Sequence, residues 1–265
     1  MAKDAKSAFC EDSRVKFPTL MHLMRMGFKY ISLKGLKTKY VEAPKTEFDP
    51  LTNILTDYFT DAYCTLNPNS EKKDAEEMLA KIRKSLQNDD LGRQFYNEIL
   101  LNTGERIIDL SSPVNFYKNN TFQVTTEMTC GTKDSDNYRP DITIFVNGLP
   151  LAFIEVKKEN NHKGIQAETD RMKQRFVNPQ YRRFFNITQI MVFSNDMEYD
   201  NNEVTPTIGA FYATIGKKNT KYNCFREEGQ DSFPTERHIY QVTPEEEEIL
   251  LRDNNVVQYN NTALN

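Results

Sequence analysis

Between residues 139 and 158 the chain reads Arg-Pro-Asp-Ile-Thr-Ile-Phe-Val-Asn-Gly-Leu-Pro-Leu-Ala-Phe-Ile-Glu-Val-Lys-Lys, and no other stretch restricts the fold so tightly. Apolar, largely β-branched runs flank Asn147-Gly148, a pair that accepts positive φ and so marks a β-hairpin. On the second strand Leu151, Phe153, Glu155 and Lys157 point to one face, and Ala152, Ile154 and Val156 to the other. Both faces stay apolar until Glu155, the pattern of a central strand covered on two sides. Charges at the end of such a strand need a chemical reason.

The turn geometry then makes a demand. A two-residue turn in regular register pairs Val146 with Leu149 and leaves Asp141 opposite Ile154, on the wrong face for Glu155. A three-residue connection, Asn147-Gly148-Leu149, pairs Val146 with Pro150 and sets Asp141 against Glu155. That loop, with Gly148 in a bulge, is the expected form if the two carboxylates act together. Carboxylates that close repel, and a pKa rises unless a cation lies between them. A hard divalent ion such as Mg²⁺ satisfies both with oxygen ligands and leaves room for a phosphate oxygen and water. Lys157 faces the same place and can stabilise developing negative charge or orient the attacking water. A buried Asp–Glu–Lys ion-pair cluster is the alternative; Pro140-Asp141 upstream and the hairpin between favour the metal.

The rest of the chain gives this hairpin its setting. The 265 residues suffice for one large domain or two small ones, and no Gly/Ser linker divides them, so one domain over 1–265 is expected. Residues 1–104 read as mainly helical. One helix, carrying Val15, Leu20, Leu23, Met24 and Met26, stops at Gly27 before a short strand over 28–33. A second follows Asp49-Pro50, with Asp49 as N-cap; a third runs from about Ser70 to Leu86, and a fourth from Asp90 to Leu101. After Gly104 the period changes to two, with strands expected at 107–108, 121–128, 142–146, 151–156, 187–194 and 209–215. A helix over 164–176 interrupts them, and Thr243-Pro244 with the following glutamates opens a last one. The fold class is α/β: a mixed central sheet flanked by helices, with the helical N-terminal part packed on it.

Composition excludes several functions. With 34 Lys and Arg against 38 Asp and Glu, the net charge is −4, so any nucleic-acid contact must use a local patch. Arg171, Lys173, Arg175, Arg182 and Arg183 form such a local excess, either a track for DNA phosphates or a solvated helix face. Cys10, Cys64, Cys130 and Cys224 are scattered, which argues against zinc and disulfides and for reduced thiols in a cytoplasmic protein. His22, His162 and His238 lie far apart and no Gly-x-Ser-x-Gly elbow accompanies them, so a serine-hydrolase triad is unsupported. No run approaches the roughly 18–20 apolar residues of a membrane span. The first residues carry no apolar core of a secretion signal.

Pro140-Asp141 with Glu155-Val156-Lys157 resembles the Pro-Asp…(Asp/Glu)-x-Lys motif of restriction-endonuclease-like nucleases. The wider wording (Arg139-Pro140-Asp141-Ile142, Val146-Asn147-Gly148-Leu149-Pro150-Leu151 and Ile154-Glu155-Val156-Lys157-Lys158) resembles the N-terminal nuclease domain of the R (restriction) subunit of type I restriction-modification enzymes. Gly27-Phe28-Lys29-Tyr30-Ile31-Ser32 and Met191-Val192-Phe193-Ser194-Asn195 are similar to further segments of that family. The resemblance implies a restriction-endonuclease-like core and a Mg²⁺-dependent DNA endonuclease acting in phage defence. Asp141 and Glu155 would bind the metal with the Val156 carbonyl, and Lys157 would be the catalytic lysine. Glu11 or Asp12 would assist from the first helix. The family's Gln-x-x-x-Tyr motif is departed from here, its slots falling on Arg171 and Arg175. The implied partners are double-stranded DNA, the motor domains of the same subunit, and methyltransferase and specificity subunits. No Gly-x-x-x-x-Gly-Lys-Ser/Thr is present, so the motor is expected to be absent from this chain and ATP is not carried over to these residues. A nuclease fold without turnover, docking DNA or partner subunits, is the competing function.

Overall fold

A strand buried on two sides requires helices on both faces, and the sheet is built that way. The structure, a computed structural model, describes residues 10–34, 41–42, 48–102, 104–131, 138–158, 164–195, 210–214, 223–224 and 241–257. The strands are β1 (Lys29–Ile31), β2 (Val41–Glu42), β3 (Phe122–Thr126), β4 (Ile142–Val146), β5 (Leu149–Val156), β6 (Ile190–Ser194), β7 (Ala210–Thr214) and β8 (Asn223–Cys224). They form one mixed sheet in the order β2-β1-β3-β4-β5-β6-β7-β8, so β1 and β2 carry the N-terminal part into it. The β4–β5 hairpin lies at its centre. β6 runs parallel to β5, which requires a crossover; α5 (Gly164–Val177) and α6 (Arg182–Ile187) provide it.

On one face, α1 (Phe17–Arg25) and α7 (Pro244–Asp253) cover Val124, Ile142, Ile154 and Val156. On the other, Tyr58 of α2 (Thr56–Leu66) packs on Phe145, and α2 with α3 (Lys72–Ser85) also closes over Val146 and Leu149 at the hairpin turn. Beside them Phe184 and Phe185 of α6, with Met172 of α5, pack on Phe153, Met191 and Phe193. Phe153 and Ile154 thus point to opposite faces, as the period-two pattern requires. A further helix, α4 (Pro113–Asn119), is N-capped by Ser112. No helix among the described residues is long and apolar enough to cross a membrane.

Several expected elements are corrected. Asp49 does not cap a helix: its carboxylate accepts from Leu51 N–H and pairs with Arg83, making a turn, and α2 starts at Thr56. α3 starts after Glu71, which forms a capping box with Asp74, rather than at Ser70. Phe95–Leu100 winds as a π-helix. Ile107 and Ile108 are buried in the core without forming a strand. Thr243 caps α7 with Glu246, as its sequence requires. Residues 209 and 215, at the edges of one expected strand, lie outside the described residues, as does His162.

The hairpin turn is also corrected. Asn147 (φ 52°) and Gly148 (φ 75°) are both left-handed and make a two-residue turn, with Val146 opposite Leu149 and Phe145 opposite Pro150. The extra residue is Leu151, because Ile144 then pairs with Ala152 and Ile142 with Ile154. Continued one step, that register sets Asp141 against Glu155. The bulge falls in the strand rather than at Gly148 because the turn is bonded from outside. Asn147 Oδ1 accepts from Thr121 N–H at 2.8 Å, and its amide donates to Ile107 O at 2.9 Å and Asn120 Oδ1 at 2.8 Å. Gly148 O accepts from Leu55 N–H at 2.9 Å.

That close approach leaves no room for a side chain at the turn. A Cβ on Gly148 would lie 2.5 Å from Leu55 O and 2.8 Å from Phe59 N, at a φ that L-residues avoid. Gly148→Ala is expected to destabilise the protein by roughly 2 kcal/mol or more, read from urea unfolding midpoints.

Candidate active site

Asp141, Glu155 and Lys157 arrive together where the hairpin ends. Glu155 is 5% and Lys157 9% exposed, and Val156 between them is fully buried. Asp141 Oδ2 accepts from Val156 N–H at 2.9 Å. Lys157 N–H donates to Ser194 O at 2.8 Å, fixing the end of β5 to β6. Lys157 Nζ donates to Val156 O at 2.7 Å. Glu11, on the N-terminal helical segment, reaches the same place: its Oε2 accepts from Lys158 N–H at 3.1 Å. Asp12 instead pairs with Lys16, a buried lysine whose second partner is Glu127 at 2.7 Å.

Burial raises the carboxyls. Burial first, then the charges of Asp141 and Glu168, push Glu155 up to about 8. Asp141 is raised by burial, against the opposing effects of the Val156 N–H, Lys157 and Lys16. Glu11 is raised by burial, with Lys157 opposing. A buried carboxyl and a half-buried one beside an accepting carbonyl make a donor set that suits a hard cation. Two carboxylates and one main-chain oxygen suit Mg²⁺, which keeps several of its waters. Among the described residues no cluster of three or more His, Cys, Asp or Glu side chains forms a metal site.

Two residues that the sequence did not single out complete the surroundings. Tyr138 is placed by a bridge to Cys130, and its hydroxyl donates to Glu155 Oε1 at 2.7 Å. Glu168 of α5 is 1% exposed and takes three cations: Lys157 Nζ at 3.3 Å, Arg171 at 3.0 Å and Arg175 at 3.0 Å. Arg175 also lies 4.1 Å over the Tyr138 ring. The signal for Glu168 was in the sequence: an acidic residue followed by arginines three and seven places on, one face of a helix.

The basic residues divide accordingly. Arg171 is exposed at the rim, while the Arg175 side chain is 25% exposed and turned inward. Lys173 pairs with Asp170 at the surface. Arg182 and Arg183, with Gln180, Pro179, Leu51 and Gln87, line a polar hollow of about 370 Å³. A larger cavity of about 740 Å³, lined by Leu66, Leu101, Arg106 and Asp109 among others, contains none of the site residues. Phe184 and Phe185 are buried packing residues.

A mixed sheet flanked by helices, with two carboxylates and a lysine at the end of its central hairpin, defines an α/β protein with a restriction-endonuclease-like core. The family profile described as "Type I restriction enzyme R protein N terminus" matches residues 9–204. The chain belongs to that family. Two Staphylococcus aureus proteins, the type I restriction enzyme endonuclease subunits SauCOLORF180P of strain COL and SauMSSORF170P of strain MSSA476, are each 30% identical to it over 108 residues. The match covers 39% of this chain and 11% of each relative, so it concerns a small part of a much longer protein.

The raised Glu155 carboxyl sets a pH dependence. Its folded value of about 8 exceeds the ordinary 4.5, so the folded state holds a proton that the unfolded chain has released across that window. Without divalent metal, the melting temperature is expected to fall as pH rises from about 5 to about 8, and Glu155→Gln to flatten that slope. Calorimetric melts across the range check both.

Proposed function

We propose that this chain is the Mg²⁺-dependent DNA endonuclease domain of a type I restriction enzyme R subunit. The observation that carries the reading is the convergence of Asp141 and Glu155 across one hairpin, with Lys157 on the same face. Asp141, Glu155 and the Val156 carbonyl would hold the cation. When bound, Mg²⁺ supplies an acidified water and charge neutralisation for a phosphodiester. Asp141 and Glu155 would hold the ion in their ionised, carboxylate form. Lys157 presents an ammonium to the negative charge that develops on the phosphate. Glu11, at the edge of the same site, is placed to orient water.

Arg171 at the rim, with Arg182 and Arg183 in their hollow, are the cations offered to the DNA backbone; Lys173 extends the same exposed surface. Arg175, from the same basic group, backs Tyr138 from within. Cleavage by this domain alone would not depend on sequence, since recognition and translocation would lie elsewhere in such an enzyme. The partners this reading brings are double-stranded DNA, the motor domains of the subunit, and methyltransferase and specificity subunits, in the cytoplasm. ATP would serve the motor and not these residues.

A docking module without turnover is the second reading. In its favour, Lys157 Nζ occupies the Val156 carbonyl that the metal would need. Calorimetric titration with Mn²⁺ and single-turnover cleavage of supercoiled plasmid separate the two. Asp141→Ala is expected to weaken Mn²⁺ binding at least about tenfold, whereas Lys157→Ala keeps the metal and cuts more slowly by about a hundredfold or more. Equal Mn²⁺ binding by Asp141→Ala and the unaltered protein removes the metal site and with it the nuclease reading.

A further inference from the structure

Glu168 is almost wholly buried, yet it lies in no motif and is not offered as a metal ligand. Three cations converge on its carboxylate, where one would neutralise it. The excess has a direction. Lys157 Nζ is shared between Glu168 Oε2 at 3.3 Å and Val156 O at 2.7 Å. Arg175 NH1 donates to Glu168 Oε1 at 3.0 Å and its guanidinium lies over Tyr138, whose hydroxyl donates to Glu155. Contacts therefore run in a closed circuit from Glu155 through Tyr138, Arg175 and Glu168 to Lys157, two residues further along the same strand.

We propose that Glu168 is a positioning residue: its carboxylate holds the Lys157 ammonium at the mouth of the carboxylate pair and, through Arg175 and Tyr138, holds the Glu155 carboxyl. This rests on the nuclease reading of the same site. If a cation takes the Val156 carbonyl, Lys157 loses that acceptor, and Glu168 is the anion that retains the ammonium close by. An ammonium on a flexible four-carbon stem has no such fixity of its own, and misplacement by an ångström is costly in a reacting site.

Two measurements on the protein test it. The first is a double-mutant cycle in single-turnover plasmid cleavage at saturating Mn²⁺. Glu168→Gln is expected to slow cleavage roughly tenfold or more with Mn²⁺ affinity kept within about twofold. The double variant with Lys157→Ala is expected to be no slower than Lys157→Ala alone; additive losses overturn the proposal. The second needs no turnover: labelling of Lys157 by an amine-directed reagent, followed by peptide mapping. Glu168→Gln is expected to change the Lys157 labelling rate by about threefold or more while the rates at Lys173 and Lys81 stay constant. An unchanged Lys157 rate overturns the proposal. Should Glu168→Gln fail to fold, Glu168→Asp, one methylene shorter, carries the same labelling comparison. A protein that never cuts, yet shows the labelling change, loses the nuclease reading and keeps the positioning role.

Discussion

Glu155 lies in the interior beside a second, half-buried carboxylate, and the burial of Glu155 against that neighbour is the constraint on which the surrounding structure depends. An unpaired charge removed from water is costly, so the group either protonates or recruits partners. Both happen here. Glu155 is pushed to hold its proton, Asp141 takes the main-chain N–H of Val156, and a tyrosine hydroxyl closes the remaining side. Every partner is fixed by an element whose own position is set elsewhere: Tyr138 by its bridge to Cys130, Val156 by the pairing of β5 with β6. A site of this kind is strained in charge rather than in backbone, and on the proposed reading a divalent cation would relieve it.

How much of this was legible in the sequence depends on the range of the interaction. The hairpin, its turn residues and the shared face of Phe153, Glu155 and Lys157 follow from a period of two and the φ preferences of Asn and Gly. The cap of α7 is equally local. Asp49 misled because a cap and an Asx-type turn use the same side-chain chemistry, and Arg83, thirty-four residues away, drew that carboxylate aside. Ile107 and Ile108 carry strand-like residues but are held in the core by long-range packing, which no local pattern reports. Tyr138 and Glu168 act through contacts spanning 17 residues to Glu155 and 11 to Lys157, and only the arginine spacing along α5 hinted at the second.

The hairpin shows how a wrong local step can leave a right global one. Pairing Asp141 with Glu155 requires one unmatched residue somewhere between them, since a regular two-residue turn gives Ile154 as the partner. That parity belongs to the strands and not to the loop. The extra residue was expected at the turn, yet it sits in β5 at Leu151. The turn could not take it. Asn147 and Gly148 are bonded to Thr121, Ile107, Asn120 and Leu55, and a longer loop would break those bonds. The face of a functional side chain is thus the more reliable inference, and the loop that delivers it the less.

Charge follows a similar division. A chain with net charge −4 could bind a polyanion only by concentrating its cations, and the basic residues after Gly164 look in sequence like one patch. In the fold they have separate duties. Arg175 is turned inward against Tyr138, Arg171 shares Glu168 at the rim, and Arg182 and Arg183 face a polar hollow. An arginine that already has a buried anionic partner offers a phosphate less than its formal charge suggests, because binding must compete with that partner. Toward α6 the cations are less tightly claimed than Arg171 and Arg175 of α5, since Arg182 meets the exposed Asp89 at 4.0 Å. Counting basic residues along a helix overstates a nucleic-acid track wherever an acidic residue on the same face has claimed some of them.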